Sequence, residues 1–246
     1  MSATISSLST RIYADGADLD GLLRLAAEPH ISGFTTNPTL MRKAGITDYA
    51  GFAREVLEQI DDRPISFEVF SDEINEMHAQ ALEIASWASN VYVKIPVTNT
   101  RAEWTDALVR ELSHEGVQVN VTALMTVSQV DRVARALEGG APSNISVFAG
   151  RVADTGTDPV PLMRDAIAAA SQAELAEVIW ASPRELLNIF QADEIGCHII
   201  TVTHDILGKL SLVGKDLDEF SLDTVKMFHG DASAAGFTID VSKPSR

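Results

Sequence analysis

Short β-rich runs alternate along the chain with stretches whose apolar residues recur at helical spacing. The runs cover residues 11–15, 33–37, 65–70, 90–97, 117–124, 144–151, 177–182 and 198–203. Between them, Tyr49, Phe52, Val56, Leu57 and Ile60 share one helical face. Trp104, Leu108 and Leu112 form another, and Val130, Val133 and Leu137 a third. Ser128 and Asp205 stand where helix N-caps are expected. Eight strand–helix units predict an α/β fold of the (β/α)8 TIM-barrel type, one domain over 1–246. A helical extension is expected at about 205–246, with 217–237 free to pack on the barrel or on a neighbouring copy. The rival, a doubly wound sheet, lacks its fingerprint: the chain contains neither G-x-G-x-x-G nor G-x-x-x-x-G-K-[ST].

Strand side chains alternate faces with a period of two. In the fourth run Val91, Val93 and Ile95 form an apolar face toward the helices, which turns Lys94 inward. In the third, Ile65, Phe67 and Val69 face out and Glu68 faces in. The fifth run turns Asn120 and Thr122 inward, the sixth Ser146, and the first ends on Asp15. These residues converge near the C-terminal ends of their strands, where barrel active sites are built. A charge inside a barrel is costly unless paired. The group is therefore either a structural Lys–carboxylate bridge or the machinery of amine catalysis. A desolvated lysine is a nucleophile toward ketones, and a nearby carboxylate can move the hydroxyl proton.

Composition narrows the function classes. The chain has 246 residues, one cysteine and a formal net charge of −16. An acidic chain without a Lys/Arg cluster argues against nucleic acid and anionic membranes as partners. No apolar stretch approaches the roughly 20 residues of a membrane helix, and the first residues lack a signal-peptide core. A soluble, cytoplasmic protein is expected. The lone Cys197 reads as a core residue, and Trp87, Trp104 and Trp180 as packing residues. The six histidines form no H-E-x-x-H and no close Cys/His set, so neither metal nor cofactor is expected. His204 could line the barrel mouth but reads more simply as a loop or cap residue. A phosphorylated substrate would need local arginines to offset the acidic field.

Five segments resemble the transaldolases, in family order. Thr35-Thr36-Asn37-Pro38-Thr39 resembles the T-T-N-P-S signature, and Val91-Tyr92-Val93-Lys94-Ile95-Pro96-Val97-Thr98 the Schiff-base strand of the small transaldolase and fructose-6-phosphate aldolase subfamily. Asn120-Val121-Thr122 matches the fifth-strand N-x-T, Ser146–Arg151 resembles the phosphate segment S-P-F-x-G-R, and Ala181-Ser182-Pro183-Arg184 resembles A-S-x-R. The resemblance implies that Lys94 forms a Schiff base with a ketose donor and that Asp15 is acid and base at the breaking bond. It implies that Glu68, helped by Thr122, activates water. It implies donor contacts for Thr36, Asn37, Asn120 and Ser146, and a phosphate grip by Arg151, Ser182 and Arg184. Asp154 follows Arg151 and could orient it or be ordinary loop charge. Glu68 is the transaldolase residue at a position where the aldolases are expected to carry Gln, which favours transfer over simple cleavage. Val147 replaces the family's usual Pro, and Ala123 and Met125 replace bulkier residues, which leaves the acceptor open.

The expected activity is a cofactor-free transfer of a dihydroxyacetone unit from a ketose phosphate, fructose 6-phosphate or sedoheptulose 7-phosphate, to an aldose phosphate. The alternatives are an aldolase that releases dihydroxyacetone, a specialised transaldolase of secondary metabolism with an unusual acceptor, and a sugar-phosphate-binding barrel without catalysis. Small sugar phosphates and further copies of the chain are the expected partners.

Overall fold

The structure, a computed structural model, describes residues 5–241. Residues 1–4 and 242–246 of the expected domain and extension lie outside the described residues. The eight expected strands form, all pairing in parallel, and close into a barrel in chain order. They are β1 (Arg11–Asp15), β2 (Ile31–Thr35), β3 (Ile65–Glu68) and β4 (Val91–Pro96). The other half comprises β5 (Val119–Leu124), β6 (Ser143–Val147), β7 (Ala176–Trp180) and β8 (Ile199–Thr203).

Helices alternate with the strands. They are α1 (Leu19–Ala26), α2 (Pro38–Lys43), α3 (Tyr49–Gln59), α4 (Ile74–Ala85), α5 (Asp106–His114) and α6 (Val127–Leu137). After β6 come α7 (Ala149–Ala153) and α8 (Pro159–Ala170), then α9 (Leu187–Glu194) after β7. The C-terminal extension holds α10 (His204–Leu207) and α11 (Leu217–Ala234). Among the described residues, no helix is long and apolar enough to cross a membrane.

The period-two reading of the strands holds because each outer face must bury apolar surface under the helices. Val91, Val93 and Ile95, Ile65 and Phe67, and Val119 and Val121 all join the main core, at 3% exposure or less. Inside the barrel a smaller cluster of Tyr13, Ile179, Ala181 and Ile199 fills one end. Gly33 makes room for it, since a Cβ there would lie 2.6 Å from the Tyr13 ring.

Several boundaries differ from expectation, each for a local reason. β2 stops at Thr35, because Asn37 caps α2 and Pro38 opens it. β6 stops at Val147, so Arg151 rides on α7 rather than on a strand. α6 is capped by Thr126 in a reciprocal box with Gln129, not by Ser128. Thr203, not Asp205, occupies the cap position of α10. Trp104 precedes α5, paired with Thr98 in an antiparallel bridge and lying under the Arg132 guanidinium at 4.0 Å. After β7 the chain runs through Pro183 and Arg184 before α9 begins at Leu187. α11 has no buried residue and exposes Phe220, Leu222, Val225, Met227 and Phe228.

Candidate active site

At the C-terminal ends of the strands lies a cavity of about 450 Å³, and Lys94 is at its heart. Residues 68 and 94 are register partners across β3 and β4, which sets their side chains side by side on the inner face. Lys94 is only 6% exposed. Its Nζ donates to the Thr36 carbonyl at 2.8 Å and stands 3.3 Å from Glu68 Oε2. At an effective dielectric of about 20, two unit charges at that separation attract by about 5 kcal/mol before desolvation. Burying two ions costs a comparable amount. The pair therefore adds little net stability.

Asp15 ends β1 beside this pair and lines the same cavity. Its carboxylate accepts from Thr35 Oγ1 at 2.8 Å and from Asn37 Nδ2 at 3.4 Å. Burial pushes its pKa up and outweighs the opposing pull of Lys94, of those two donors and of His204. An acid that holds its proton more tightly than usual suits proton exchange with a substrate hydroxyl. The Asn37 side chain has two duties, since its Oδ1 also caps α2 by accepting from Leu40 N–H at 3.0 Å.

Below the cavity a short polar chain crosses three strands. Ser146 Oγ donates to Asn120 Oδ1 at 2.7 Å, and Asn120 Nδ2 donates to Ser66 Oγ at 2.9 Å. Ser146 still reaches the cavity, whereas Asn120 is wholly enclosed. Thr122 lines the cavity, and its Oγ1 is buried without a hydrogen-bond partner among the described residues. A buried hydroxyl in that state is available to a ligand.

The opposite wall carries the cationic end. Arg151 and Ser182 both line the cavity, and Arg151 makes no ion pair among the described residues. Gly150 lets α7 press on the segment after β7: a Cβ there would meet the Ser182 carbonyl oxygen at 1.5 Å. Ser182 and Ala123, both cavity residues, hold positive φ of 59° and 66° without being glycine. Such backbone costs about 1–3 kcal/mol and collects at functional sites. Ala123 sits at the register shift between β5 and β6.

Three expected contacts take other positions. Thr36 points out of the barrel and donates to the Ser66 carbonyl at 2.8 Å; its own carbonyl, not its hydroxyl, serves the site. Asn120 supports Ser146 from below the cavity. Arg184 is engaged by Asp154 and by the Gly150 carbonyl and lies off the cavity wall, so Asp154 orients Arg184 rather than Arg151. Thr35 and Thr201 are polar cavity residues that lie outside the expected set. Thr35 and Thr201 face each other through their hydroxyls, and Thr35 holds Asp15. Parity was the available signal: Thr35 alternates with outward Phe34, and Thr201 lies between the apolar Ile200 and Val202. His204 is not on the cavity wall; its ring packs where a Cβ on Gly16 or Gly21 would stand. Away from the cavity, half-buried His78 and exposed Glu111 and Glu115 bring potential ligand atoms within 4.8 Å of one another. Cys197 is buried, and burial pushes its thiol up to about 12.

A family model described as Transaldolase/Fructose-6-phosphate aldolase matches residues 12–241. A protein named "Probable transaldolase" from Dehalococcoides mccartyi is 36% identical over 198 residues, covering 80% of this chain and 88% of the relative. One of the same name from Thermoanaerobacter sp. is 36% identical over 217 residues, covering 88% of this chain and 95% of the relative. Another from Streptococcus agalactiae is 36% identical over 217 residues, covering 87% and 96%.

Proposed function

The chain belongs to the transaldolase/fructose-6-phosphate aldolase family, and we propose that it transfers a dihydroxyacetone unit between sugar phosphates through a Schiff base on Lys94. The observation that carries this reading is the nearly buried Lys94 amine, 3.3 Å from Glu68 in a cavity shared with Asp15. The amine adds to the ketose C2 carbonyl, and the adduct loses water to give an iminium. Asp15 takes the C4 hydroxyl proton as the C3–C4 bond breaks, and the bond's electron pair passes into the iminium. An aldose phosphate leaves, and a three-carbon enamine stays on Lys94. The enamine adds to an acceptor aldehyde, Asp15 returns its proton, and water releases the product. Glu68 and the unpartnered Thr122 hydroxyl handle the water of imine formation and hydrolysis.

Arg151 grips the substrate phosphate with Ser182, and Asn37 and Ser146 bind donor hydroxyls. Two arginines with planar, forked donors suit a phosphate, but Arg184 is already bound to Asp154, which supports Arg151 as the main contact. Glu68 favours transfer over release of free dihydroxyacetone. The exposed apolar residues of α11 support assembly of several copies. The reaction belongs to cytoplasmic pentose phosphate chemistry, in one barrel domain with a helical extension.

Borohydride trapping with fructose 6-phosphate, followed by peptide mapping, tests the central step. A reduced three-carbon adduct on Lys94 is expected. An unmodified protein with fructose 6-phosphate, sedoheptulose 7-phosphate and dihydroxyacetone alike overturns the reading and favours a binding-only barrel. Product analysis with and without an aldose phosphate acceptor separates transfer from release.

A further inference from the structure

The β2–β3 ladder stops one rung short of Glu68, and a side chain takes over the missing rung. Phe34 N–H donates to the Pro64 carbonyl and Thr36 N–H to the Ser66 carbonyl, two residues on along each strand. The next donor would be residue 38, aimed at the Glu68 carbonyl. Residue 38 is proline and has no N–H. The reciprocal parallel bond would send Glu68 N–H to the Thr36 carbonyl, yet Lys94 Nζ occupies that oxygen at 2.8 Å. Both backbone groups of Glu68 need partners in a partly buried place.

The hydroxyl of Tyr49, the first residue of α3, serves both. It accepts from Glu68 N–H at 2.7 Å and donates to the Glu68 carbonyl at 3.0 Å. The phenol ring is fixed edge-on to Phe67 and Phe70, with centroids 6.2 and 4.3 Å away. We propose that Tyr49 is a positioning residue for the reaction: its hydroxyl stands in for the lost rung, aims the Glu68 carboxylate at Lys94, and leaves the Thr36 carbonyl to the Lys94 amine. This rests on the proposed Schiff-base reading for its kinetic consequence, but not for its geometry.

Tyr49→Phe keeps the ring and removes only the hydroxyl. Transfer kcat is expected to fall about tenfold, with KM moving less than about threefold. In a Glu68→Gln background the same change is expected to cost under about twofold, because the hydroxyl acts through Glu68. Equal losses in both backgrounds overturn the proposal and leave a general structural role. A second readout needs no substrate. Without the phenol, Glu68 N–H competes for the Thr36 carbonyl, and the Lys94 amine loses the acceptor that holds it. Acetylation of Lys94 by acetic anhydride at fixed pH, read by mass spectrometry against Lys226, is expected to rise about threefold, the scale of one weakened hydrogen bond. An unchanged labelling rate overturns the proposal. Inactive wild-type protein with altered Lys94 labelling would sink the transaldolase reading and retain the positioning. Active wild-type protein with neither response would do the reverse.

Discussion

Neutralising Asp15 is expected to stabilise the protein while disabling it. In Asp15→Asn the side chain keeps its size, and an amide oxygen can still accept from Thr35 Oγ1, now at 2.8 Å. The bond lost is the long one to Asn37, at 3.4 Å. What is relieved is the cost of enclosing a carboxylate, which already exceeds the help from Lys94, Thr35, Asn37 and His204, since the net effect of folding is to raise its pKa. Removing such a group at a functional site commonly returns about 0.5–2 kcal/mol. For a chain of this length that corresponds to about 2–4 °C in Tm per kcal/mol. The sign with pH follows from linkage. A raised native pKa means the folded state binds the proton more tightly, so this group's contribution to stability is present below the ordinary Asp value and is lost as pH rises through the native one. The Tm advantage of Asp15→Asn should be full at pH 8 and shrink as pH falls toward 4. Calorimetry on both proteins across that range is the assay, with transfer kcat expected to drop about 10²–10⁴-fold. A variant that melts below wild type at pH 8, or a gap independent of pH, would refute the reasoning that burial dominates this carboxylate.

Arg151→Ala should raise KM for a phosphorylated donor more than about tenfold, the scale of one charge-assisted contact, with little change in turnover of unphosphorylated dihydroxyacetone; Arg184→Ala, already tied to Asp154, should raise it far less. Steady-state kinetics on both donors decides, and equal effects of the two arginines would contradict the assigned grip. Gly150→Ala sets a methyl group where the Ser182 carbonyl stands, so the α7 segment must shift; a loss of about 1–3 kcal/mol in denaturant midpoint analysis and a raised donor KM are expected. Phe228→Glu on α11 should lower the mass found by sedimentation if that face is buried between copies, and an unchanged mass argues against assembly through α11.

Much of this protein was legible in its sequence because barrel strands obey a strict parity. Val91, Val93 and Ile95 must face the helices, so Lys94 must face the barrel axis, and the same logic placed Glu68, Thr122 and Ser146. The count and order of the strands followed from hydrophobic patterning alone. Tertiary structure decided what parity cannot: where a strand gives way to a cap, and which neighbours share an acceptor. Asn37 leaves β2 to cap α2, and this breaks the run that the sequence joins. That departure turns the Thr36 carbonyl, a backbone atom with no signature of its own, into a partner for Lys94. Likewise the choice between Arg151 and Arg184 rests on Asp154, which is near Arg151 in sequence but bonds in space to Arg184, far along the chain. Patterning reports which face a residue takes, because burial of apolar area is a property of the residue and its element. Hydrogen-bond partnership depends on several elements meeting at once, and only the closed barrel brings them together.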